Sequence, residues 1–122
     1  MATLNTTLSV TSTSISTDTL NISISDILTV GNPIQGVSRE SVAHDADTVV
    51  VAATVAASTY VYVKNTDATN LVYLKTDAQG ETSFARLHPL EAILFCVSPS
   101  TGLHLRADTA PCVVEFATFT KS

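Results

Sequence analysis

Charged side chains are scarce in this sequence. They make up 14% of its 122 residues, against roughly 25% in ordinary soluble domains. The few present lean acidic, with six Lys and Arg, 11 Asp and Glu, and a net charge of −5. The basic residues Arg39, Lys64, Lys75, Arg86, Arg106 and Lys121 are scattered along the chain. That distribution argues against the basic stripe of nucleic-acid binders, so no nucleic-acid partner is expected. Long apolar runs are also missing. The longest, Val49 to Ala57, is broken by Thr54 and falls far short of the ~20 residues of a membrane helix. No membrane partner is expected. Met1 to Val10 has neither the basic start nor the continuous apolar core of a secretory signal, which points to synthesis in a cytoplasm. Only two cysteines exist, Cys96 and Cys112, both in strand-like runs. In a reducing compartment they are expected as buried free thiols. A bridge would require their strands to be neighbours.

The residue patterns of catalysis are missing too. His44, His88 and His104 are far apart, and none belongs to a close metal-ligand pair. His88-Pro-Leu-Glu91 lacks the second strand histidine that a small metal-binding barrel would need, so the histidines read as turn and surface residues. Serine is abundant, yet no Gly-x-Ser-x-Gly elbow occurs. Cys96 sits in an apolar run, where a thiol is more often inert than reactive. Asp45 and Asp47 are close in sequence but read as turn residues. The four glycines form no phosphate-cradling loop. No enzyme activity, cofactor or metal is expected.

What the chain does have is alternation. Hydrophobic residues are 45% of the sequence, enough to exclude wholesale disorder. A chain of this length buries roughly two thirds of its unfolded surface and needs no staple. Ser and Thr supply much of the polarity and suit strands better than helix interiors. Met1 to Thr17 places Leu4, Leu8 and Val10 in even register and reads as an extended arm or edge strand that orders against something else. Asp18 to Val30 keeps the phase with Leu20, Ile22, Ile24, Leu28 and Val30. Ile27 falls on the opposite face, which predicts a bulge near Ser25–Asp26. Gly31-Asn32-Pro33 predicts a turn, followed by a short strand from Gln35 to Val42 and a turn at His44 to Asp47. Further strands are predicted at Thr48–Ala53, Thr82–Leu87, Ala92–Val97, Leu103–Ala107 and Cys112–Thr120, with turns at Thr76–Glu81, His88–Glu91, Ser98–Gly102 and Asp108–Pro111.

At the centre, Thr59 to Lys64 and Leu71 to Lys75 flank the polar loop Asn65 to Asn70. This reads as a β-hairpin, with Tyr60 and Tyr62 on one face and Tyr73 across from them. The three tyrosines make either an interface, where Tyr is enriched, or the rim of a core. Short strands with turns at this spacing predict an all-β fold: a single antiparallel β-sandwich over residues 18–122, jelly-roll-like or Greek-key, carrying residues 1–17 as an N-terminal arm.

Four segments also carry a family pattern. They are Tyr60-Val-Tyr-Val-Lys-Asn-Thr-Asp-Ala-Thr-Asn70, Phe84-Ala-Arg-Leu-His-Pro-Leu-Glu-Ala-Ile-Leu-Phe95, Gly102-Leu-His-Leu-Arg-Ala-Asp-Thr-Ala110 and Val113-Val-Glu-Phe116. From Val37 to Phe119 the chain resembles small virion proteins of tailed bacteriophages, of the β-sandwich capsid decoration or cement type. Leu90 stands where that class usually has Gly. The motifs are structural and not catalytic.

The resemblance implies a non-enzymatic protein made in the host cytoplasm and located on the capsid surface of the virion. Its implied partner is the major capsid protein. A symmetric homo-oligomer is expected, and a trimer suits local three-fold positions of a shell. The contact candidates are Leu4, Leu8 and Val10 of the arm, with Tyr60, Tyr62 and Tyr73. The alternative is a tail or head-fibre module that touches a host receptor or glycan through loops Asn65–Asn70 and Asp77–Glu81. Those loops lack the exposed aromatics usual in glycan sites.

Overall fold

The computed structural model describes residues 2–13, 20–76 and 83–122, with side chains omitted at 32–35. Its elements are all strands: β1 (Ala2–Ser12), β2 (Leu20–Val42), β3 (Thr48–Val51), β4 (Thr59–Asn65), β5 (Val72–Lys75), β6 (Ser83–Leu87), β7 (Ala92–Val97), β8 (Leu103–Ala107) and β9 (Cys112–Lys121). They form a five-stranded sheet in the order β1-β2-β9-β4-β7 and a four-stranded sheet in the order β3-β8-β5-β6. Every ladder is antiparallel. The fold is the expected antiparallel β-sandwich.

The core follows from period-two alternation. Val61 and Val63 of β4, with Cys112, Val114 and Phe116 of β9, point inward from the larger sheet. Val72 and Leu74 of β5, with Leu103 and Leu105 of β8, meet them from the smaller one. Residues between these positions face outward: Tyr60, Tyr62 and Lys64 on the larger sheet, Tyr73, His104 and Arg106 on the smaller.

The central hairpin is not formed. β4 pairs with β7 and β9, whereas β5 pairs with β6 and β8. The segment between them is an arch from one sheet to the other. Its backbone turns on side-chain bonds from Asn65 and Asp67, which carries the chain across the ~10 Å between packed sheets. Tyr73 therefore lies on the opposite outer face from Tyr60 and Tyr62.

The long β2 also differs from expectation. Its pairing with β1 runs without a break from Ala2↔Val30 to Ser12↔Leu20, so there is no bulge at Ser25–Asp26. Ile27 simply sits, 67% exposed, on the polar face. The irregularity comes later. Register shifts against β9 fall between Val30 and Ser38, in a strand that continues to Val42 through the expected Gly31-Asn32-Pro33 turn. β9 ends opposite Val30, and the part of β2 before Val30 pairs only with β1. The unit that leaves the sandwich is thus a two-stranded ribbon. A boundary drawn after Thr17 falls outside the described residues.

The turn at His88–Glu91 forms as expected. The Glu91 carboxylate accepts the His88 N–H at 2.8 Å, and Leu90 takes φ 67°. A non-glycine residue in this left-handed region is strained. The turn expected at Thr76–Glu81 lies, from residue 77 on, outside the described residues.

Candidate functional site

The ribbon has two unlike faces. On one, cross-strand pairs bring together Leu4 with Leu28, Leu8 with Ile24, and Val10 with Ile22, broken only by Thr6 with Asp26. The other face is Thr3, Asn5, Thr7, Ser9 and Thr11 against Thr29, Ile27, Ser25, Ser23 and Asn21. Burial alternates at the root, where Ala2, Leu4 and Thr6 are partly covered and Thr3, Asn5 and Thr7 are not. The apolar face therefore turns toward the body. Further out, cover is lost: Leu8 is 56% exposed and Ile24 55%. Leu8 and Val10, expected as contact residues, stand open. Leu4 is half-buried at the ribbon root.

Opposite this face lies the outer surface of the larger sheet. A groove of about 340 Å³ separates them, with Leu4, Thr6 and Val37 on one wall and Tyr62, Leu94, Ala117 and Phe119 on the other. A second hollow of about 320 Å³ continues it outward between Leu8, Ile24 and the Ala92–Leu94 end of β7. Tyr62 forms part of the floor. Its hydroxyl donates to Glu115 Oε1 at 3.2 Å, and burial, then that hydrogen bond and the charge of Glu115, push its pKa up. Tyr60 sits beside it on β4, opposite Phe119 and Cys96. β7 is the edge of this sheet opposite β1, and Ala92-Ile-Leu-Phe-Cys-Val97 carries no charge. Edges of this kind are usually guarded by Lys, Pro or a bulge.

Sequence reasoning had identified Leu4, Leu8 and Val10 of the ribbon face and Tyr62 of the floor. Ile22, Ile24 and Leu28 complete the ribbon face, and Leu94, Ala117 and Phe119 complete the floor. The shared even phase of Leu4–Val10 and Leu20–Val30 was the available signal for the first group. The rest of the floor had none, because its residues lie on β7 and β9, distant in sequence from Tyr62.

Tyr73 belongs elsewhere. It pairs with Arg86 and Arg106 on the smaller sheet, next to Lys75 and His104. Folding thus gathers Lys75, Arg86 and Arg106, scattered in sequence, on one outer face. Asp47 holds two of them, bonding Lys75 Nζ at 3.1 Å and ion-paired with Arg106 Nε at 2.8 Å, and lies 3.7 Å from His104 Nδ1. The Lys75 side chain is only 3% exposed. Burial pushes the Asp47 carboxyl up. The Lys75 hydrogen bond and the positive charges of Lys75, Arg106 and His104 outweigh it and hold its pKa below the ordinary value.

The loop Asn65–Asn70 is tied inward. Asn65 is fully buried; its amide donates to the carbonyl of Asn70 at 2.8 Å and lies 3.3 Å from those of Leu87 and His88. The Asp67 carboxylate accepts the N–H groups of Thr69 and Asn70, which lower its pKa. Asp108 accepts the Leu71 N–H, and Thr109 Oγ1 donates to Asn70 Oδ1. The Lys-Asn-Thr-Asp, His-Pro-Leu-Glu and Ala-Asp-Thr-Ala segments therefore meet at one end of the sandwich as a polar clasp. The loop Asp77–Glu81 lies outside the described residues.

The cysteines are unpaired as expected, with β4 between their strands, but only Cys112 on β9 is buried; Cys96 is exposed, because alternation along the edge strand β7 puts it on the outer face. Burial, with the charges of Asp67 and Asp108, pushes the Cys112 thiol up to about 11. Among the described residues, no group of three or more His, Cys, Asp or Glu side chains could hold a metal ion, and no helix is long and apolar enough to cross a membrane.

No known family, curated protein sequence or solved structure matches the chain.

Proposed function

We propose that the protein is a non-enzymatic structural component of a tailed-phage virion that binds the outside of the capsid and stabilises the shell. The observation that carries this reading is the ribbon. A complete sandwich carries an eleven-residue strand pair whose apolar face is left half-open. Exposed apolar surface of this kind marks contact sites. The low charge of the chain and its resemblance to decoration proteins from Val37 to Phe119 point the same way.

The mechanism is burial of neutral surface across adjacent shell subunits. Each contact is modest, and repetition over many symmetric positions supplies avidity. The ribbon, with Leu8, Val10, Ile22 and Ile24, is the main contact element between neighbouring copies and the shell, and Tyr60 and Tyr62 flank it. The clasp at Asn65–Asn70 spends its polar groups internally, which weakens the case for that loop as a receptor site.

The test is to mix the purified protein with shells that lack it and image them by electron cryomicroscopy. Regular density at symmetry-related positions, with the ribbon against the shell, is the expected result. Bare shells would reject the capsid role and favour the tail or head-fibre reading, for which about a dozen or fewer copies per particle would be the signature.

A further inference from the structure

We infer that the chain self-associates by ribbon exchange, the apolar face of one copy's ribbon seating in the groove of a second copy. The inference does not rest on the capsid reading.

Within one chain the ribbon only partly covers its own outer sheet face. Leu8 and Ile24 remain more than half exposed above a floor that includes Leu94, itself 41% exposed, and the hollow between them is unfilled. Packed sheets close to about 10 Å with interdigitated side chains. A floor of Tyr62, Leu94, Ala117 and Phe119 that its own ribbon does not close against can receive the face of Leu4, Leu8 and Val10 from another copy's ribbon in its place. The ribbon's root is the stretch from Val30 to Ser38, where register against β9 slips repeatedly. This irregular joint separates the ribbon from the regular ladder, and exchange of an identical element about a joint is a low-cost route to oligomers.

Area favours a second copy over an unrelated occupant. Eleven residues at about 3.4 Å each, in two strands about 4.8 Å wide, present a face of roughly 360 Å². Seated once on any partner, it buries roughly 700 Å² in total, below the ~1,200 Å² where specific interfaces begin. Exchange makes each copy both donor and acceptor. A reciprocal pair then places both seatings in one interface and buries about 1,400 Å². Charge agrees. The chain carries −5 overall, yet the ribbon face holds one charge, Asp26, and the receiving face holds Lys64 and Arg39 around Glu115.

The test uses full-length chains in a Cys96→Ser background. One carries Leu8→Cys and the other Leu94→Cys, and the two are mixed under mild oxidation. In parallel, the mass of the unaltered chain is measured by light scattering across a wide concentration range. Exchange predicts a dimer, and a covalent two-chain product that disappears when either new cysteine is omitted. Leu8→Thr with Ile24→Thr should weaken self-association at least about tenfold, since each loses a buried aliphatic side chain, while the urea midpoint of the monomer stays put. A monomer at every concentration would overturn the inference. So would a multimer in which the mixed Leu8→Cys and Leu94→Cys chains form no covalent two-chain product.

Discussion

The sandwich body and the ribbon share one alternating pattern and end in opposite states. In the body, every second residue of β4, β5 and β8 is sealed: Val61, Val63, Val72, Leu74, Leu103 and Leu105 have no exposed surface. In the ribbon, Leu8 and Ile24 occupy the equivalent inward positions and stay more than half exposed. The cause is the number of layers. An apolar strand face is buried only when a second layer covers it. The body has two sheets in contact. The ribbon has a groove where its second layer should be. Alternation thus announces a face that must be covered without saying by which chain.

The largest test of this contrast is a pair of truncations. Leu105→Ala should cost about 3 kcal/mol by opening a cavity in the core. Leu8→Ala should cost less than about 0.5 kcal/mol in the monomer. Urea midpoints measure both. Equal losses would mean that the ribbon face is already sealed in the isolated chain.

A second test concerns polar closure of the body. Asp47→Asn leaves Lys75 buried beside Arg106 without its counter-charge and should cost about 2 kcal/mol, less than a fully buried pair because Asp47 keeps some solvent contact. The pH dependence follows from the lowered pKa values of Asp47 and Asp67. Depressed carboxyls contribute stability that is fully present above the ordinary value of 3.8. It is lost as pH falls through their lower folded values. The urea midpoint should therefore hold between neutrality and about pH 5 and fall below pH 4, with a shallower fall in Asp47→Asn. An unchanged slope would show that Asp47 is not the anchor.

A third test, smaller than the losses at Leu105 and Asp47, is a gain. Leu90→Gly relieves a left-handed leucine, and should add about 1 kcal/mol despite the greater freedom of glycine in the unfolded chain. A loss would mean that the exposed leucine side chain makes a contact worth more than the strain.

The fold class was legible because inward aliphatics recur at every second position within the runs that became β4, β5, β8 and the start of β9. Strand partners were not. Two β-branched runs around a polar loop look alike whether the loop reverses within a sheet or arches between sheets, and Asn65 decides the matter through bonds to residues more than twenty positions away. The phase break at Ile27 resembled a bulge because sequence alone does not distinguish a slipped register from an apolar residue left on a polar face. Leu4, Leu8 and Val10 were identifiable from phase. The groove floor at Leu94, Ala117 and Phe119 was not, since β7 and β9 come together only around β4.

Residues 1–17 alone were the expected arm, but removing β1 would leave half of β2 unpaired. The cleaner cut begins the chain at Val30. The decisive measurement is binding of the full chain and of this shortened chain to shells that lack the protein, with urea midpoints taken on both. The account predicts similar midpoints and loss of binding by the shortened chain. A shortened chain that folds and binds shells as well as the full one would contradict it.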